Sequence, residues 1–337
     1  MPRRQHMTRE PKVLQFNDCA FVARSMVSAA ARAGLRWDYL PPEQVRPMTA
    51  APRNPLLAKA RFVPYLLRRR AALQAADVVH VHYGTSVRLI RERGMPDRPY
   101  VLTLHGTDIR RQWKDPAFHD EIQRAIDGAS HVFYANADNK DDATSARSDA
   151  EFFPSVVDLA RLPTWIPAHK PQIMFISRWD DDKGMERQLK LAGALATVIG
   201  DKAELIGLDW GPGAAEARAR GVRLLEKMPQ HRYYEQLARS AVGIGQASEY
   251  FSTSEFEALC IGLPLAALGS RLPRPDDGTV PPVMEGSVAD VVDQVLAALA
   301  DPADASGRLG GAEWAVPRYD AAAYIPGLEA LYRKIAR

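Results

Sequence analysis

Short apolar segments that alternate with helical ones constrain the fold of this chain most strongly. The predicted strands before residue 162 include Lys12–Phe16, Asp77–His82, Pro99–Leu104 and His131–Ala135. A second series begins after residue 171 with Gln172–Ser177, Ala203–Gly207 and Ala241–Gly245. Apolar strands separated by helices are typical of parallel sheets that are covered on both faces. The sequence therefore predicts two doubly wound α/β domains.

A proline-rich segment marks the expected boundary between these domains. Leu162–Pro171 contains three prolines, a composition that indicates a linker. We expect residues 1–166 to form one domain and residues 167–318 a second. Residues 319–337 then include a final helix, Ala321–Ile335. A chain of 337 residues is long enough for two hydrophobic cores.

Composition favours a soluble globular protein, with 46% apolar and 25% charged residues. No apolar run reaches membrane-spanning length, and the basic N-terminus Met1–Met7 lacks the apolar segment of a secretion signal. The chain has two cysteines, Cys19 and Cys260, which do not indicate a disulfide framework. These features predict a cytoplasmic location.

Positive charge is concentrated in the N-terminal half. Residues 1–165 hold 25 Lys and Arg against 18 Asp and Glu, whereas residues 166–337 hold 19 against 23. This half could therefore face an anionic partner, although surface charge also fluctuates without function. Within it, Leu56–Arg70 is basic and has helical periodicity. It could lie on a membrane surface, but our preferred interpretation is a helix packed on the sheet with its arginines in water.

The stretch from Ser248 to Leu265 predicts a polar loop, a short helix, a glycine stop and a new strand. Two capping boxes overlap at the helix start, Ser252 with Glu255 and Ser254 with Glu257. Gly262 suits a left-handed position after the last turn. A helix start is a natural phosphate site, and Glu249 and Glu257 flank it with carboxylates. This combination suits a ligand with both phosphate and hydroxyl groups, such as a sugar nucleotide.

Further polar clusters follow other predicted strands. His105-Gly106-Thr107-Asp108 follows one strand, and Arg178 and Lys183 follow another. An arginine fork and a mobile lysine can together hold a diphosphate. Taken alone, these two cations are better explained by a local ion pair with Asp180–Asp182.

Two histidines, His80 and His82, alternate along one buried strand and point to the same face. A metal pair was therefore considered. Two packed or substrate-facing histidines are preferred, because no third ligand is suggested nearby.

The residues quoted above resemble the retaining glycosyltransferases of family 4, which have the GT-B fold. The similarity lies in Asp77–His82, in Leu104–Asp108, in Ser177-Arg178 with Lys183-Gly184, and in the E-x7-E pattern of Glu249 and Glu257. It implies two Rossmann-like domains that face each other across a cleft. It also implies that the N-terminal domain binds the acceptor, that the second binds the nucleotide sugar, and that the last helix crosses back to the first domain.

The resemblance also implies a role for each site residue. Arg178 and Lys183 would bind the diphosphate, Glu249 the sugar hydroxyls and Glu257 the ribose. Phe251 and Ser252 lie within the same donor-binding motif, and His105 would lie near the reacting carbon. The residues implied to act in catalysis are therefore His105, Arg178, Lys183 and Glu249.

A UDP- or GDP-sugar is the donor that the resemblance implies, with no cofactor and no metal. The leaving phosphate would accept the acceptor's proton in a front-face reaction. The acceptor is open among glycan, lipid, protein and nucleic acid, and the basic half allows a peripheral membrane contact. Two alternatives are a sugar-nucleotide epimerase of the same fold and a non-catalytic anion-binding protein.

The sequence departs from the family at the turn Asn17-Asp18-Cys19-Ala20, where a glycine-rich turn is usual, and at Ser177, where a glycine is usual.

Overall fold

The computed structural model describes residues 10–50 and 52–337, which form two α/β units. The first unit contains the described residues through Pro154 together with Ala321–Arg337, and the second contains Ser155–Asp320. The basic segment Met1–Met7 lies outside the described residues. Each unit holds one six-stranded sheet in which every pairing between neighbouring strands is parallel.

The first sheet has the strand order β2-β1-β3-β4-β5-β6. Its strands are β1 (Val13–Phe16), β2 (Trp37–Leu40), β3 (Val78–His82), β4 (Tyr100–Leu104), β5 (His131–Tyr134) and β6 (Glu151–Phe152). The helices of this unit are α1 (Val22–Arg32), α2 (Pro42–Val45), α3 (Pro55–Ala60), α4 (Val63–Ala75), α5 (Val87–Ile90), α6 (His119–Asp127), α7 (Lys140–Ala146) and, from the end of the chain, α15 (Ala321–Ile335). Buried residues of β1, β3, β4 and β5 form its core with α4 and α6.

The second sheet has the order β12-β11-β10-β7-β8-β9, the classic Rossmann order read from the opposite edge. Its strands are β7 (Gln172–Phe175), β8 (Glu204–Leu208), β9 (Arg223–Leu225), β10 (Val242–Ile244), β11 (Leu265–Leu268) and β12 (Met284–Gly286). Its helices are α8 (Met185–Ile199), α9 (Ala214–Ala219), α10 (Gln230–Arg239), α11 (Thr253–Ile261), α12 (Val288–Ala300), α13 (Pro302–Leu309) and α14 (Gly311–Tyr319). Apolar clusters cover both faces of this sheet, which explains why its central strands are mostly apolar.

The chain passes between the units at Pro154–Ser155 and again at Asp320–Ala321. Leu162–Pro171, which we expected to be the linker, lies inside the second unit. There the Trp165 indole donates to the Ser240 carbonyl oxygen at 2.9 Å, so the segment is bound to α10 and its end. The prolines mark an irregular stretch that is packed on its own unit.

The preferred interpretation of Leu56–Arg70 holds in part, because α4 packs on the core of the first unit through Leu73 and exposes Arg68 and Arg70. Three leucines of α3 and α4 are nevertheless largely exposed: Leu56 is 76% exposed, Leu57 58% and Leu67 64%. The buried residues of α4 are Arg69 and Leu73. Arg69 is turned inward, where it donates to Glu92 at 2.7 Å. Most of the apolar side chains of this segment therefore face solvent.

Candidate functional site

Helix α11 begins over the crevice of the second sheet. The strand order changes direction between β7 and β10, and in doubly wound sheets ligands bind at such a switch point. The fully buried Glu255 carboxylate accepts from Ser177 Oγ, after β7, at 2.7 Å and from the Gln246 amide, after β10, at 3.1 Å. Its other oxygen accepts from the Ser252 amide at 3.0 Å and completes a capping box. Glu255 thus fixes the helix start at the switch point.

The second predicted capping residue, Glu257, has a different partner. Its Oε1 accepts from the Tyr234 hydroxyl at 2.6 Å and from Gln230 Nε2 at 3.5 Å, and the side chain is buried. Burial raises the pKa of the Glu257 carboxyl to about 8. The helix ends as predicted at Gly262, whose φ of 92° is left-handed.

The Lys183 side chain lies at the N-terminus of α11. Its ammonium donates to Gln246 Oε1 and to Ser252 Oγ, both at 2.6 Å. The following residue must be glycine, because Gly184 has φ 71° and a Cβ there would lie 2.9 Å from the Ala247 carbonyl oxygen. The close approach of these two segments holds Lys183 against the helix start.

Arg178 has the local partner that the sequence suggested. Its guanidinium forms an ion pair with Asp180 and lies 5.7 Å from the centroid of the Trp210 ring. The local ion pair and a diphosphate role are compatible, because a guanidinium has five N–H donors.

The loop before α11 carries Glu249 at its exposed edge and Phe251 buried beneath it. Arg271, which the sequence analysis missed, is buried below this loop with its guanidinium 5.1 Å from the Phe251 ring centroid. It donates to the Ser248 carbonyl oxygen and to that of Gln246. Burial lowers the pKa of Arg271. No local pattern in the sequence connects Arg271 with the E-x7-E stretch.

In the first unit, His105 follows β4 and its backbone is fixed by a buried carboxylate. Asp108 accepts from the amides of Gly84 at 2.9 Å, His105 at 3.0 Å and Gly106 at 2.9 Å. Burial raises the pKa of Asp108. Asp108 is therefore a structural clamp on the loop, whereas the His105 ring is only partly buried.

The histidine pair on β3 is packed and hydrogen-bonded. The rings of His80 and His82 stack with centroids 4.6 Å apart. Protein groups occupy all four ring nitrogens, with Tyr332, Thr103, His105 and Gln15 as the partners. Within residues 10–50 and 52–337 no group of three or more His, Cys, Asp and Glu side chains is placed to hold a metal ion.

The atypical turn after β1 carries its own anion. The Asp18 carboxylate accepts from the amides of Ala23 at 3.0 Å and Arg24 at 3.2 Å, and from the Tyr39 hydroxyl at 2.7 Å. Burial raises the pKa of Asp18 to about 6. Because this carboxylate fills the first amides of α1, that helix start differs from the start of α11.

The predicted site residues therefore lie in the second unit, with the exception of His105 in the first. Lys183 and Ser252 are in direct contact, and Phe251 and Glu249 belong to the same loop. Arg178 follows β7, while Glu257 lies one turn further along α11 against Tyr234. His105 belongs to the first unit.

No described helix has the length and apolar character needed to cross a membrane.

Comparisons with known proteins agree with this architecture. Residues 15–151 match the family model described as a glycosyl transferase 4-like domain. No curated protein sequence matches the chain significantly.

Several solved structures share the fold over nearly the whole chain. Sucrose-phosphate synthase (tll1590) from Thermosynechococcus elongatus has a TM-score of 0.67 and 16% identity, covering 96% of this chain and 98% of its own. Anabaena Alr3699/HepE in complex with UDP has a TM-score of 0.63 and 11% identity, with coverages of 96% and 100%. AviGT4, a glycosyltransferase involved in avilamycin A biosynthesis, has a TM-score of 0.60 and 18% identity, with coverages of 97% and 98%. With its two parallel six-stranded sheets, the chain has a two-domain, Rossmann-like GT-B fold.

Proposed function

We propose that this chain is a retaining glycosyltransferase that moves a sugar from a UDP- or GDP-sugar to an acceptor hydroxyl. The observation that carries the proposal is the Lys183 ammonium, which lies 2.6 Å from the N-cap hydroxyl of α11 at the sheet's switch point. A helix N-terminus has a partial positive charge. A cation beside it is therefore favourable only when an anion binds between the cation and the helix.

The surrounding charges favour a diphosphate in particular. Arg271 lies buried beneath the same loop, and Arg178 follows the neighbouring strand β7. The acid in the first turn, Glu255, has both oxygens occupied by protein donors. Negative charge grows on the diphosphate as the sugar leaves, so fixed cations stabilise the transition state more than the ground state.

The other residues complete the proposal through the family resemblance. Glu249, exposed beside the helix start, would accept hydrogen bonds from sugar hydroxyls, and Glu257 would bind the ribose. Phe251 and Ser252 shape the donor site, and His105 contacts the donor sugar. The leaving phosphate accepts the acceptor's proton, so the reaction needs neither a protein base nor a metal. The match of residues 15–151 to the glycosyl transferase 4-like model supports this assignment, as does the UDP named with HepE.

A thermal-shift panel of uridine, UDP, GDP, UDP-glucose, UDP-N-acetylglucosamine and GDP-mannose tests the donor site. A ligand at 100 times its Kd stabilises the native state by about 2.7 kcal/mol. For a domain of this size that stabilisation corresponds to a rise in Tm of roughly 5–10 °C.

Lys183→Ala should weaken the binding of UDP or GDP about 10- to 100-fold, because a charge-assisted hydrogen bond contributes about 1.5–3 kcal/mol. Uridine, which has no phosphate, should bind both proteins equally. Lys190→Ala is the matched control, since Lys190 is an exposed lysine of α8 paired with Glu186. Undiminished UDP binding by Lys183→Ala would refute the diphosphate assignment.

Turnover separates transfer from epimerisation. A transferase releases nucleotide diphosphate in proportion to glycosylated acceptor, whereas an epimerase changes the sugar with no net release. Donor turnover without such release in an acceptor library would replace our proposal with the epimerase.

We further propose that the first unit binds the acceptor at an anionic membrane surface. Helices α3 and α4 and the loop before them expose Met48, Leu56, Leu57, Phe62 and Leu67. The sequence from Gln44 to Ala76 contains seven Lys and Arg, of which Arg69 is buried, and no Asp or Glu. Exposed apolar side chains interleaved with cations are typical of segments that lie in the interface of an anionic bilayer.

Sedimentation with phosphatidylglycerol-containing vesicles tests this contact against vesicles of phosphatidylcholine alone. Leu57→Ser and Leu67→Ser should each lower the partitioning of the protein to vesicles about tenfold, because each change loses about 1.4 kcal/mol of apolar burial. Arg68→Glu should lower it on anionic vesicles only. Ile166→Ser is the control, because Ile166 is 69% exposed in the second unit. Equal binding to neutral vesicles, or no effect of the leucine variants, would exclude this surface as the site of contact with an anionic membrane.

A further inference from the structure

A continuous chain of hydrogen bonds links the C-terminal helix to His105 through the interior of the first unit. The Tyr332 hydroxyl of α15 lies 3.0 Å from Gln15 Nε2, and Gln15 Oε1 lies 3.0 Å from His82 Nε2. His82 Nδ1 lies 3.0 Å from His105 Nε2. A side branch joins Tyr332 to His80 Nδ1 at 2.6 Å. Gln15, His80 and His82 have no exposed surface, so water does not interrupt the chain.

Burial keeps the three histidines neutral. It lowers the pKa of His80 and His105 to about 3 and that of His82 well below its usual value. A neutral imidazole has one N–H donor and one acceptor nitrogen. Each link in the chain therefore carries one proton, and fixing the direction of one link fixes the next.

The Gln15 amide sets that direction. Its Nε2 donates to Tyr332, so its Oε1 accepts from the Nε2–H of His82. The Nδ1 of His82 is then an acceptor, and the Nε2–H of His105 must donate to it. The Nδ1 of His105 is left with a lone pair.

The hydrogen bonds of the side branch can be assigned in the same way, with one proton in each. Tyr332 accepts from Gln15, and donating its one proton to the Nδ1 of His80 satisfies the hydroxyl; the Nε2–H of His80 then donates to Thr103 Oγ1 at 2.6 Å.

The open end of the chain faces outward. His105 is only partly buried, and its Nδ1 makes no hydrogen bond with residues 10–50 or 52–337 and is not among their buried unpaired atoms. The backbone on either side is held by Asp108, and by Asn136 Nδ2, which donates to the His105 carbonyl oxygen at 2.9 Å. The ring is therefore presented in a fixed position.

We propose that Gln15 is a positioning residue that acts through His82 to hold His105 as a neutral Nε2–H tautomer, whose Nδ1 accepts a hydrogen bond from a ligand hydroxyl and disfavours phosphate. The identity of the hydroxyl as one on the donor sugar rests on the proposed function. The tautomer does not, and it is measured without any ligand.

Long-range 1H–15N spectra of histidine-labelled protein report which ring nitrogen carries the proton. His80, His82 and His105 should all be Nε2–H tautomers at pH 7, assigned by the loss of one ring signal in single His→Asn variants.

Gln15→Glu gives a second test once its carboxyl group is ionised, because a carboxylate only accepts; spectra are recorded from pH 6 to pH 10, since burial raises the pKa of a carboxyl group. Tyr332 must then donate to Glu, and the Nδ1 of His80 must donate to Tyr332. His80 should switch to the Nδ1–H tautomer, while His105 keeps Nε2–H. In Gln15→Leu nothing imposes a direction, so His82 and His105 should show mixed tautomers. Gln294→Glu, on α12 of the second unit, should change none of these signals.

An Nδ1–H tautomer at His105 in the parent protein, or unchanged Nε2–H tautomers of His82 and His105 in Gln15→Leu, would overturn the proposal. Thermal unfolding identifies a variant that has lost its fold, and the tautomer of His105 in the parent protein keeps the test decisive if Gln15→Leu unfolds.

Binding provides the second readout. Gln15→Leu should weaken the binding of a UDP-sugar about 2- to 10-fold, which corresponds to one neutral hydrogen bond, and leave the affinity for UDP unchanged. Equal weakening of both ligands would contradict a hydroxyl-reading role. If UDP does not bind the parent protein, the proposed function fails, while the spectra still decide the tautomer.

Discussion

Replacing Glu257 by glutamine should change the pH dependence of stability in a way that follows from one buried carboxyl group. Glu257 is 5% exposed, and burial raises its pKa from 4.5 to about 8, with Glu255 adding to the shift. The hydrogen bonds from Tyr234 and Gln230 oppose the shift only in part. Around neutral pH the folded protein therefore holds a proton at Glu257 that the unfolded chain releases.

The sign of the effect follows from proton linkage. Stability falls with rising pH wherever the folded state binds more protons than the unfolded state. The contribution of Glu257 is complete below pH 4.5 and is lost as the pH rises to about 8. One proton corresponds to about 1.4 kcal/mol per pH unit, so the free energy of unfolding should fall by roughly 2.5 kcal/mol between pH 5.5 and 7.5 from this group alone.

Glu257→Gln keeps an oxygen to accept from Tyr234 and carries no titratable proton. Its free energy of unfolding relative to the parent should therefore rise by roughly 2.5 kcal/mol over the same interval. Urea unfolding of both proteins at pH 5.5, 6.5 and 7.5 measures the difference. Glu226→Gln, at an exposed loop carboxylate, is the control and should run parallel to the parent. Parallel curves for Glu257→Gln and the parent would refute a buried, protonated Glu257.

Two further substitutions test the buried hydrogen bonds of Glu255 and Tyr332. Glu255→Ala leaves the donors of Ser177, Gln246 and Ser252 without their acceptor, so the second unit should lose about 4 kcal/mol, measured by urea unfolding against Glu313→Ala as an exposed control. Tyr332→Phe removes the hydroxyl between Gln15 and His80 and should cost about 1–3 kcal/mol of stability; an unchanged Tm would show that this bond contributes nothing.

The α/β architecture could be predicted from the sequence because the central strands, such as Val78–His82 and Leu265–Leu268, are mostly apolar and some helices have clear start and stop signals. The end of α11 at Gly262 and the strand β11 that follows are local features of this kind. Helices α13 and α14 were not predicted, although Asp301 and Pro302 give a helix start and Gly310 has the left-handed conformation of a stop. Local chemistry could have identified both.

The partners of the two helix carboxylates could not be predicted in the same way. Ser252 with Glu255 and Ser254 with Glu257 are equivalent patterns along the chain. The distinction between them comes from Ser177, which is 78 residues distant in sequence, and from Tyr234 on α10. The buried Arg271 and the chain from Gln15 to His105 likewise depend on strand order. Such groups are brought together by topology, which no short spacing encodes.

The two units have similar sheets but opposite electrostatics at their switch points. In the second unit, the helix start between β7 and β10 carries the Lys183 ammonium and favours an anion. In the first, the start of α1 is filled by the Asp18 carboxylate, and neutral histidines line the neighbouring strand β3. A phosphate brought to the start of α1 would meet the Asp18 carboxylate, whereas a hydroxyl can donate to that group. The helix start at the switch point of the second unit is therefore suited to an anionic group, and that of the first unit is not.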